Sequence, residues 1–259
     1  MRAATLRLNG PLIEADVVSE GKRLLARAAE SAVPLRLLGG VAIRLRAPAG
    51  PPAAFDRTYA DLDFVTAKRA AAPVTTLLRA EGYVPHVAFN ALHGGDRLLF
   101  FDEEHERQVD VFVGAFAMCH RIPLDARLEV DPVSIPLAEL LLTKLQVIQL
   151  NEKDVRDTLA LLHDHPVGES DGETLNAARV AALCAADWGL WRTITENLRA
   201  CRAFADGYDV PDRALLDERL DVLLARIEAE PKPRVWRLRA KIGDRKRWYE
   251  LPEEVAGGP

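Results

Sequence analysis

Three aspartates lie in segments that otherwise read as buried β-strands. Asp61 and Asp63 belong to the run A-D-L-D-F-V-T, and Asp110 belongs to Q-V-D-V-F-V. Alternate residues of a strand point to the same face, so Asp61 and Asp63 project together. Ionised carboxylates that close repel each other unless a cation lies between them or one is protonated. If the two strands are neighbours, the three carboxylates form an all-oxygen metal site that suits Mg²⁺ or Mn²⁺.

Two consecutive glycines, Gly39 and Gly40, favour this interpretation over a simpler one, in which the acids form a solvated rim or a cap. The run L-R-L-L-G-G-V-A-I-R-L-R predicts a short strand that turns into a helix at the glycines. Such a turn lets the backbone approach a ligand closely, and the N–H groups of a first helical turn attract phosphate. A tight turn alone would also need the glycines. With the D-x-D motif on the next strand, a phosphate site and a metal site would lie on successive strands.

The predicted elements divide the chain into an α/β half and a helical half. In the first half, Asp16 is the expected N-cap of a helix, and a second helix runs from Pro73 to Gly82. The strands predicted after the glycines lie at 61–66, 83–89, 97–101, 108–113 and 127–135, with a hairpin turn at 93–96. From Pro136 onward the periodicity is helical, in segments at 136–150, 154–164, 172–206 and 211–229.

Composition predicts a protein of the bacterial cytoplasm with no membrane partner. The chain has 259 residues and a formal net charge of −5, so no overall attraction to nucleic acid or membrane is expected. Its three cysteines show no C-x-x-C spacing, which suits a reducing compartment and argues against a disulfide framework or a zinc ribbon. The chain contains neither an apolar run of about 18 residues nor a signal-peptide core.

Together the motifs resemble the nucleotidyltransferase superfamily, whose pattern is a glycine turn, a D-x-D or D-x-E, and a later acid on a strand. The matching segments are L-L-G-G-V-A-I-R-L, R-T-Y-A-D-L-D-F-V and Q-V-D-V-F-V. Arg57, Lys144 in L-L-L-T-K-L, and K-D-V-R-D at 153–157 are further similar to the abortive-infection (AbiEii-like) toxins. The resemblance covers about residues 35–160. Gly40 stands where the superfamily more usually has a serine, so a hydroxyl contact to phosphate is absent there.

The resemblance implies a fold and a division into domains. The fold class would be α+β, with a mixed-sheet nucleotidyltransferase-fold N-terminal domain followed by a helical C-terminal domain. The catalytic domain would occupy residues 1–135 and the helical domain residues 136–230. A basic C-terminal tail would follow at 231–259.

The resemblance also implies a substrate, a nucleoside triphosphate, and a role for each acid. Gly39 and Gly40 would hold its β- and γ-phosphates. Asp61 and Asp63 would hold Mg²⁺ or Mn²⁺. Asp110 would complete a second metal position and draw the proton from an attacking hydroxyl. A nucleoside monophosphate would then be transferred while pyrophosphate leaves.

The charged residues of the helical half each have two interpretations. Lys144 either neutralises the triphosphate or is a lysine at the edge of an amphipathic helix. Arg57 either touches a phosphate or pairs with the acids. Asp154 and Asp157 lie one turn apart, and they either orient Lys144, line the acceptor site or form a solvated helix face. For the nucleotide site we therefore predict Arg57, Lys144 and Asp154 beside the glycines.

The acceptor and the wider role stay open at this level. Residues 232–249 are densely basic with Trp236, Trp248 and Tyr249 interleaved, which suits RNA binding, a solvated tail or packing against the acidic body. Candidate acceptors are tRNA or another RNA, a protein, or a small hydroxylated molecule, and a toxin would have an antitoxin protein as partner. The alternatives are a phosphotransferase with the same metal site and a catalytically silent binding protein. Retention of all three acids weighs against the silent protein.

Overall fold

The computed structural model describes residues 13–47, 49–207, 209–210 and 212–251. Its strands are β1 (Leu35–Leu38), β2 (Leu62–Thr66), β3 (Val84–Pro85), β4 (Arg97–Asp102), β5 (Arg107–Val113), β6 (Ala115–Ala117), β7 (Arg121–Pro123), β8 (Val167–Gly168) and β9 (Leu175–Asn176). Its α-helices are α1 (Val17–Glu30), α2 (Gly39–Arg46), α3 (Ala71–Ala80), α4 (Val87–His93), α5 (Leu137–Leu145), α6 (Glu152–Asp164), α7 (Ala177–Ala186), α8 (Trp188–Ala205), α9 (Arg213–Ala229) and α10 (Arg234–Ile242).

A five-stranded mixed sheet forms the centre of the first half, as the sequence predicted. Its order is β1-β2-β5-β4-β3, with β2 and β5 parallel and the other neighbours antiparallel. β2 carries Asp63 and β5 carries Asp110, and their register pairs these two residues, whereas Asp61, predicted to lie in the strand, directly precedes β2. The two strands are therefore adjacent, and two of the three aspartates lie at the same level of the sheet.

The strand-to-helix turn at the glycines is confirmed, and so is the start of α1. β1 ends at Leu38 and α2 begins at Gly39, whose φ of +71° lies in the left-handed region that favours glycine. The Asp16 side chain accepts a hydrogen bond from the Ser19 N–H at 2.8 Å, which is the predicted N-cap. Buried residues of α1, among them Leu24 and Ala28, pack on the sheet.

The strand predicted at 83–89 is wrong beyond its first residues, because only Val84–Pro85 pairs with β4 and the chain then forms α4. Proline has no N–H with which to continue the ladder. The Asn90 side chain accepts from the Leu99 N–H at 2.7 Å and donates to the Leu99 carbonyl at 3.0 Å, so a helical residue satisfies the β4 backbone. The predicted hairpin turn at 93–96 is instead the end of α4, capped at Gly94.

The strand predicted at 127–135 is also wrong. A short strand, β7, precedes this segment, and the segment itself contributes only an isolated parallel bridge between Leu37 and Ser134. The Asp131 side chain accepts hydrogen bonds from the N–H groups of Val133 and Ser134, at 2.8 and 2.9 Å. This local turn competes with an extended ladder.

The second half is helical, as predicted, with shorter segments than the periodicity suggested. α5 ends at Leu145, and β8 and β9 form a two-stranded parallel sheet ahead of α7. α5 and α6 contact α2, so the helices carrying Lys144 and Asp154 lie against the glycine turn. Part of the predicted basic tail is α10, and residues 252–259 lie outside the described residues. No helix in the described ranges combines the length and apolarity that crossing a bilayer requires.

Candidate active site

A cavity of about 210 Å³ opens where α2 begins. Its lining includes six of the eight predicted site residues: Gly40, Arg57, Asp61, Asp63, Lys144 and Asp154. The other two lie directly behind this wall. Gly39 contacts the carboxylate of Asp63, and Asp110 is its partner on the neighbouring strand. The fold thus brings all eight residues to one edge of the sheet, although they come from segments far apart in sequence.

The two glycines are required for different reasons. A Cβ at Gly39 would collide with the Asp63 carboxylate, and the positive φ already disfavours other residues there. A Cβ at Gly40 would collide with the guanidinium of Arg57 and lie 2.8 Å from Cδ1 of Tyr59. Any side chain at position 40, a serine included, would therefore have to displace Arg57 and Tyr59. No side-chain hydrogen bond caps the start of α2, and Gly40 and Val41 of its first turn line the cavity.

Asp61 and Asp63 carry negative charge that the described residues do not neutralise with a salt bridge. Burial raises the pKa of Asp63 to about 7, and the nearby Asp110 and Asp61 act in the same direction. Burial and the charge of Asp110 also raise the pKa of Asp61 above its ordinary value. Lys144 and Arg97 oppose the shift at Asp63 without cancelling it. The pair thus disfavours its ionised form until a cation arrives.

Asp110 is held differently from the other two acids. Arg97 Nε donates to its Oδ1 at 2.7 Å, and the Gln108 amide donates to its Oδ2 at 2.7 Å. The Arg97 guanidinium also lies 5.3 Å from the centre of the Phe112 ring. Asp110 is 4 % exposed, so its charge is neutralised inside the protein by arginine.

Two of the three predicted metal-ligating carboxylates, Asp61 and Asp63, fit a divalent cation. Across the residues that the structure describes, no group of three or more His, Cys, Asp or Glu side chains is arranged to hold a metal ion. At Asp110, Arg97 and Gln108 each donate to one carboxylate oxygen. Asp61 and Asp63 remain as two carboxylates on one cavity with raised pKa values. Mg²⁺ commonly uses one or two carboxylates and takes its other ligands from water and substrate phosphates, so this pair fits it.

Two cations at the cavity share one buried acid. Arg57 donates from Nε and Nη2 to the two oxygens of Asp157, at 2.8 and 2.6 Å. Lys144 Nζ lies 2.9 Å from Asp157 and 3.2 Å from Asp154. Burial alone would raise the pKa of Asp157, but the hydrogen bond from Arg57 and the charge of Lys144 hold it below its ordinary value. In this structure Arg57 pairs with an acid, and Asp154 and Asp157 orient Lys144.

Sequence reasoning missed several residues of the site. The Arg57 guanidinium lies over the Tyr59 ring, with its central carbon 4.4 Å from the ring centre. Asn151 and Lys153 also line the cavity. The charge of Lys153 acts to lower the pKa of Asp61. Tyr59 and Lys153 stand inside motifs that the sequence already marked. Arg97 carried no such signal, because only the antiparallel pairing of β4 with β5 brings it to Asp110.

The aromatic residues of the basic tail largely pack on the helical half. The Trp236 indole N–H donates to the Cys184 carbonyl at 3.0 Å, and the Trp248 indole N–H donates to Thr193 Oγ1 at 3.1 Å. Of the three interpretations of this tail, packing therefore applies to both tryptophans. Tyr249 is half-buried and lies edge-on to Trp248.

Comparison of the chain with protein-family models and with curated proteins gave no match.

Proposed function

We propose that this chain is a metal-dependent nucleotidyltransferase, with a nucleotidyltransferase-type sheet, that moves a nucleoside monophosphate from a nucleoside triphosphate to an acceptor hydroxyl. One observation carries the proposal. Asp61 and Asp63, two carboxylates with raised pKa values, share a cavity with the uncapped N-terminus of α2. A cation site and an anion site side by side suit a metal-bound polyphosphate better than either ligand alone.

Each group at the cavity would have its own contact with such a substrate. Its β- and γ-phosphates would accept hydrogen bonds from the first N–H groups of α2, where Gly40 leaves no side chain of its own. Lys153 and Lys144 would face the phosphates as point charges. Asp61 and Asp63 would ligate Mg²⁺ or Mn²⁺, which when bound would neutralise the phosphates and stabilise the leaving pyrophosphate.

The transfer itself needs a proton acceptor. The acceptor oxygen would bond to the α-phosphorus while the bond from that phosphorus to the bridging oxygen breaks, releasing pyrophosphate. Asp110, next to Asp63 in the register, would take the hydroxyl proton. Arg97 and Gln108 each donate to one oxygen of Asp110, so the acceptor hydroxyl would have to share or displace one of these donors to reach it.

Label transfer tests the proposal. The protein would be incubated with Mg²⁺, total tRNA and other candidate acceptors, and each of ATP, CTP, GTP and UTP labelled at the α- or γ-phosphate. We expect the α-label to appear on an acceptor and to be lost in Asp63→Asn. Asp56→Asn is the matched control, because this exposed acid is close in sequence and does not line the cavity. Movement of the γ-label alone would replace the proposal with a phosphotransferase.

A second candidate is a nucleotide-binding protein without transfer. The pairing of Asp110 with Arg97 favours it, because the third acid is neutralised rather than free for a second metal. This candidate predicts Mg²⁺-dependent triphosphate binding that Asp63→Asn abolishes, with no label moving to any acceptor. Titration calorimetry beside the label assay separates the two.

The wider biological role rests on the sequence resemblance. RNA, including tRNA, stays among the proposed acceptors. A toxin would have an antitoxin protein as partner, and a neighbouring gene whose product binds this chain and blocks label transfer would support that role.

A further inference from the structure

The C-terminal segment 232–249 concentrates positive charge in an acidic protein. It holds eight Lys or Arg residues and one Asp, whereas the chain as a whole has a net charge of −5. Some of this charge is already engaged. Arg239 donates to the carbonyls of Gly243 and Lys246, and its guanidinium lies 4.3 Å from the centre of the Trp188 ring. Within the described ranges, Lys246 and Arg247 are exposed and have no carboxylate partner.

These two free cations lie at a cavity of about 600 Å³. It lies between the β6–β7 hairpin and the C-terminal segment, and its lining includes Arg121, Lys246, Arg247, Trp248, Tyr249 and Glu250. Cavities of about 300–1,000 Å³ hold ligands of nucleotide size. This cavity is separate from the one at the start of α2, with which it shares no lining residue.

The wall of the cavity is held in place at several points. The Trp248 indole is fixed by Thr193, and the Glu250 N–H donates to the Cys119 carbonyl at 3.0 Å. Gly189 permits the close approach, because a Cβ there would lie 2.5 Å from the Trp248 carbonyl oxygen. The segment that carries Lys246 and Arg247 is therefore docked on the body, and its cations have a defined position.

We propose that this cavity binds a nucleotide unit, with its phosphate against Lys246 and Arg247 and its ring against Tyr249. The Arg247 guanidinium lies 5.3 Å from the Tyr249 ring centre, so a cation and an aromatic face lie side by side. Arg121 is available as a third cation, because its only described partner, Asp96 at 3.2 Å, is exposed and the pair is weak. Two acids also line the cavity. Asp187 caps α8 by accepting from the Gly189 N–H, and Glu250 is exposed in the lining, where its charge opposes phosphate binding close to it.

The cavity also has a route toward the proposed active site. A neighbouring cavity of about 220 Å³ shares Ala117, Met118 and Glu250 with it and has Arg97 in its wall. Arg97 bonds to Asp110. Resting on the proposed function, we assign the bound nucleotide to the acceptor, with this neighbouring cavity as its route toward Asp110.

Direct binding without Mg²⁺ or nucleoside triphosphate tests the site. Fluorescence anisotropy would follow a labelled 5′-mononucleotide and a labelled short single-stranded oligoribonucleotide. We expect the double variant Lys246→Glu/Arg247→Glu to weaken binding by about tenfold or more, and Tyr249→Ala to weaken it by about tenfold. The control is Arg234→Glu/Arg237→Glu, which reverses the same amount of charge on exposed residues of α10 outside the cavity. We expect less than about a twofold change there.

Each outcome decides a separate point. Binding of the free mononucleotide, or of the oligoribonucleotide alone, supports the site and shows whether its ligand is a free nucleotide or part of an RNA strand. Equal weakening by both double variants would reduce the effect to general electrostatics and overturn the site, as would wild-type protein that binds neither probe. Because the assay omits the triphosphate, site-specific binding with no α-label transfer would refute the proposed function alone. Transfer to RNA that the cavity variants leave unchanged would refute the route to Asp110 alone.

Discussion

The molecule has two cavities that differ in the charges left without a salt bridge among the described residues: two carboxylates and Lys153 at the start of α2, and two cations and Glu250 at the C-terminal segment. At the start of α2, the cations Arg57 and Lys144 are already paired with Asp157, and the carboxylates of Asp61 and Asp63 have no salt bridge among the described residues. At the C-terminal segment, Lys246 and Arg247 have no carboxylate partner among the described residues, and they outnumber the one acid there without a salt bridge, Glu250. The lining of each cavity contains both acidic and basic residues. What differs is which charges the fold has already neutralised, and that decides which ligand each cavity can take.

The largest expected effect separates the two cavities functionally. Asp61→Asn and Asp63→Asn should each weaken Mg²⁺-dependent triphosphate binding by about a hundredfold or more, because each removes a charged ligand from the proposed ion. Neither should change nucleotide binding at the C-terminal cavity. Titration calorimetry with a nonhydrolysable triphosphate, with and without Mg²⁺, measures the first effect. Triphosphate binding that persists in both variants would exclude this pair as the metal site.

The next effect concerns the acid that neutralises the cations of the first cavity. Asp157→Asn would leave Arg57 and Lys144 without their buried partner, and we expect it to lower the free energy of unfolding by about 3 kcal/mol. Urea unfolding measures this. The control is Asp206→Asn, which breaks an exposed pair with Arg213 and should change stability by less than about 1 kcal/mol. If the two variants lose the same amount of stability, the cluster of Arg57, Lys144 and Asp157 does not stabilise this cavity.

A smaller effect tests the backbone at the same place. Gly39→Ala should lower the free energy of unfolding by about 2 kcal/mol, because alanine disfavours the positive φ and its Cβ would displace the Asp63 carboxylate. Gly95→Ala is the control, since a Cβ there meets nothing within 4 Å. A stable Gly39→Ala variant with unchanged triphosphate binding would show that the close approach is dispensable.

The first cavity was largely predictable from sequence, and the second was not. The period of two along a strand aligns Asp61 with Asp63, and the glycine pair marks the turn, so local rules sufficed there. The contact between Arg57 and Asp157 joins distant segments, although both residues stood in recognised motifs. The basic tail was visible as composition, but its docking depends on Gly189 and on backbone contacts such as that of Glu250 with Cys119.

The same limit explains the wrong strands and the unexpected partner of Asp110. The segment at 83–89 alternates like a strand, yet Asn90 satisfies the β4 backbone from a helix, which is a tertiary effect. Arg97 reaches Asp110 only through the register of β4 against β5. Local propensity cannot supply such pairings, because they depend on which segments become neighbours.

The smallest expected effect is a pH dependence of stability that belongs to the first cavity. The pKa of Asp63 is about 7 in the folded protein and about 4 in an unfolded chain. Between these values the folded state holds a proton that the unfolded state has lost, so stability falls as pH rises and levels off above about 7. Relative to Asp63→Asn, the wild-type free energy of unfolding should decline by about 1 kcal/mol from about pH 6 to about pH 7.5 without added metal.

Subtracting the Asp63→Asn curve removes the contribution of groups that both proteins share. Saturating Mg²⁺ should then abolish the decline, because a cation between Asp61 and Asp63 stabilises the ionised carboxylates that burial and Asp110 disfavour. Asp56→Asn should keep the wild-type slope, since that acid lies outside the cavity. Parallel curves for wild type and Asp63→Asn would mean that the charge of the Asp63 carboxylate is already compensated within the fold. The contrast between the two cavities would then no longer hold, because the first cavity would lack an uncompensated acid at this position.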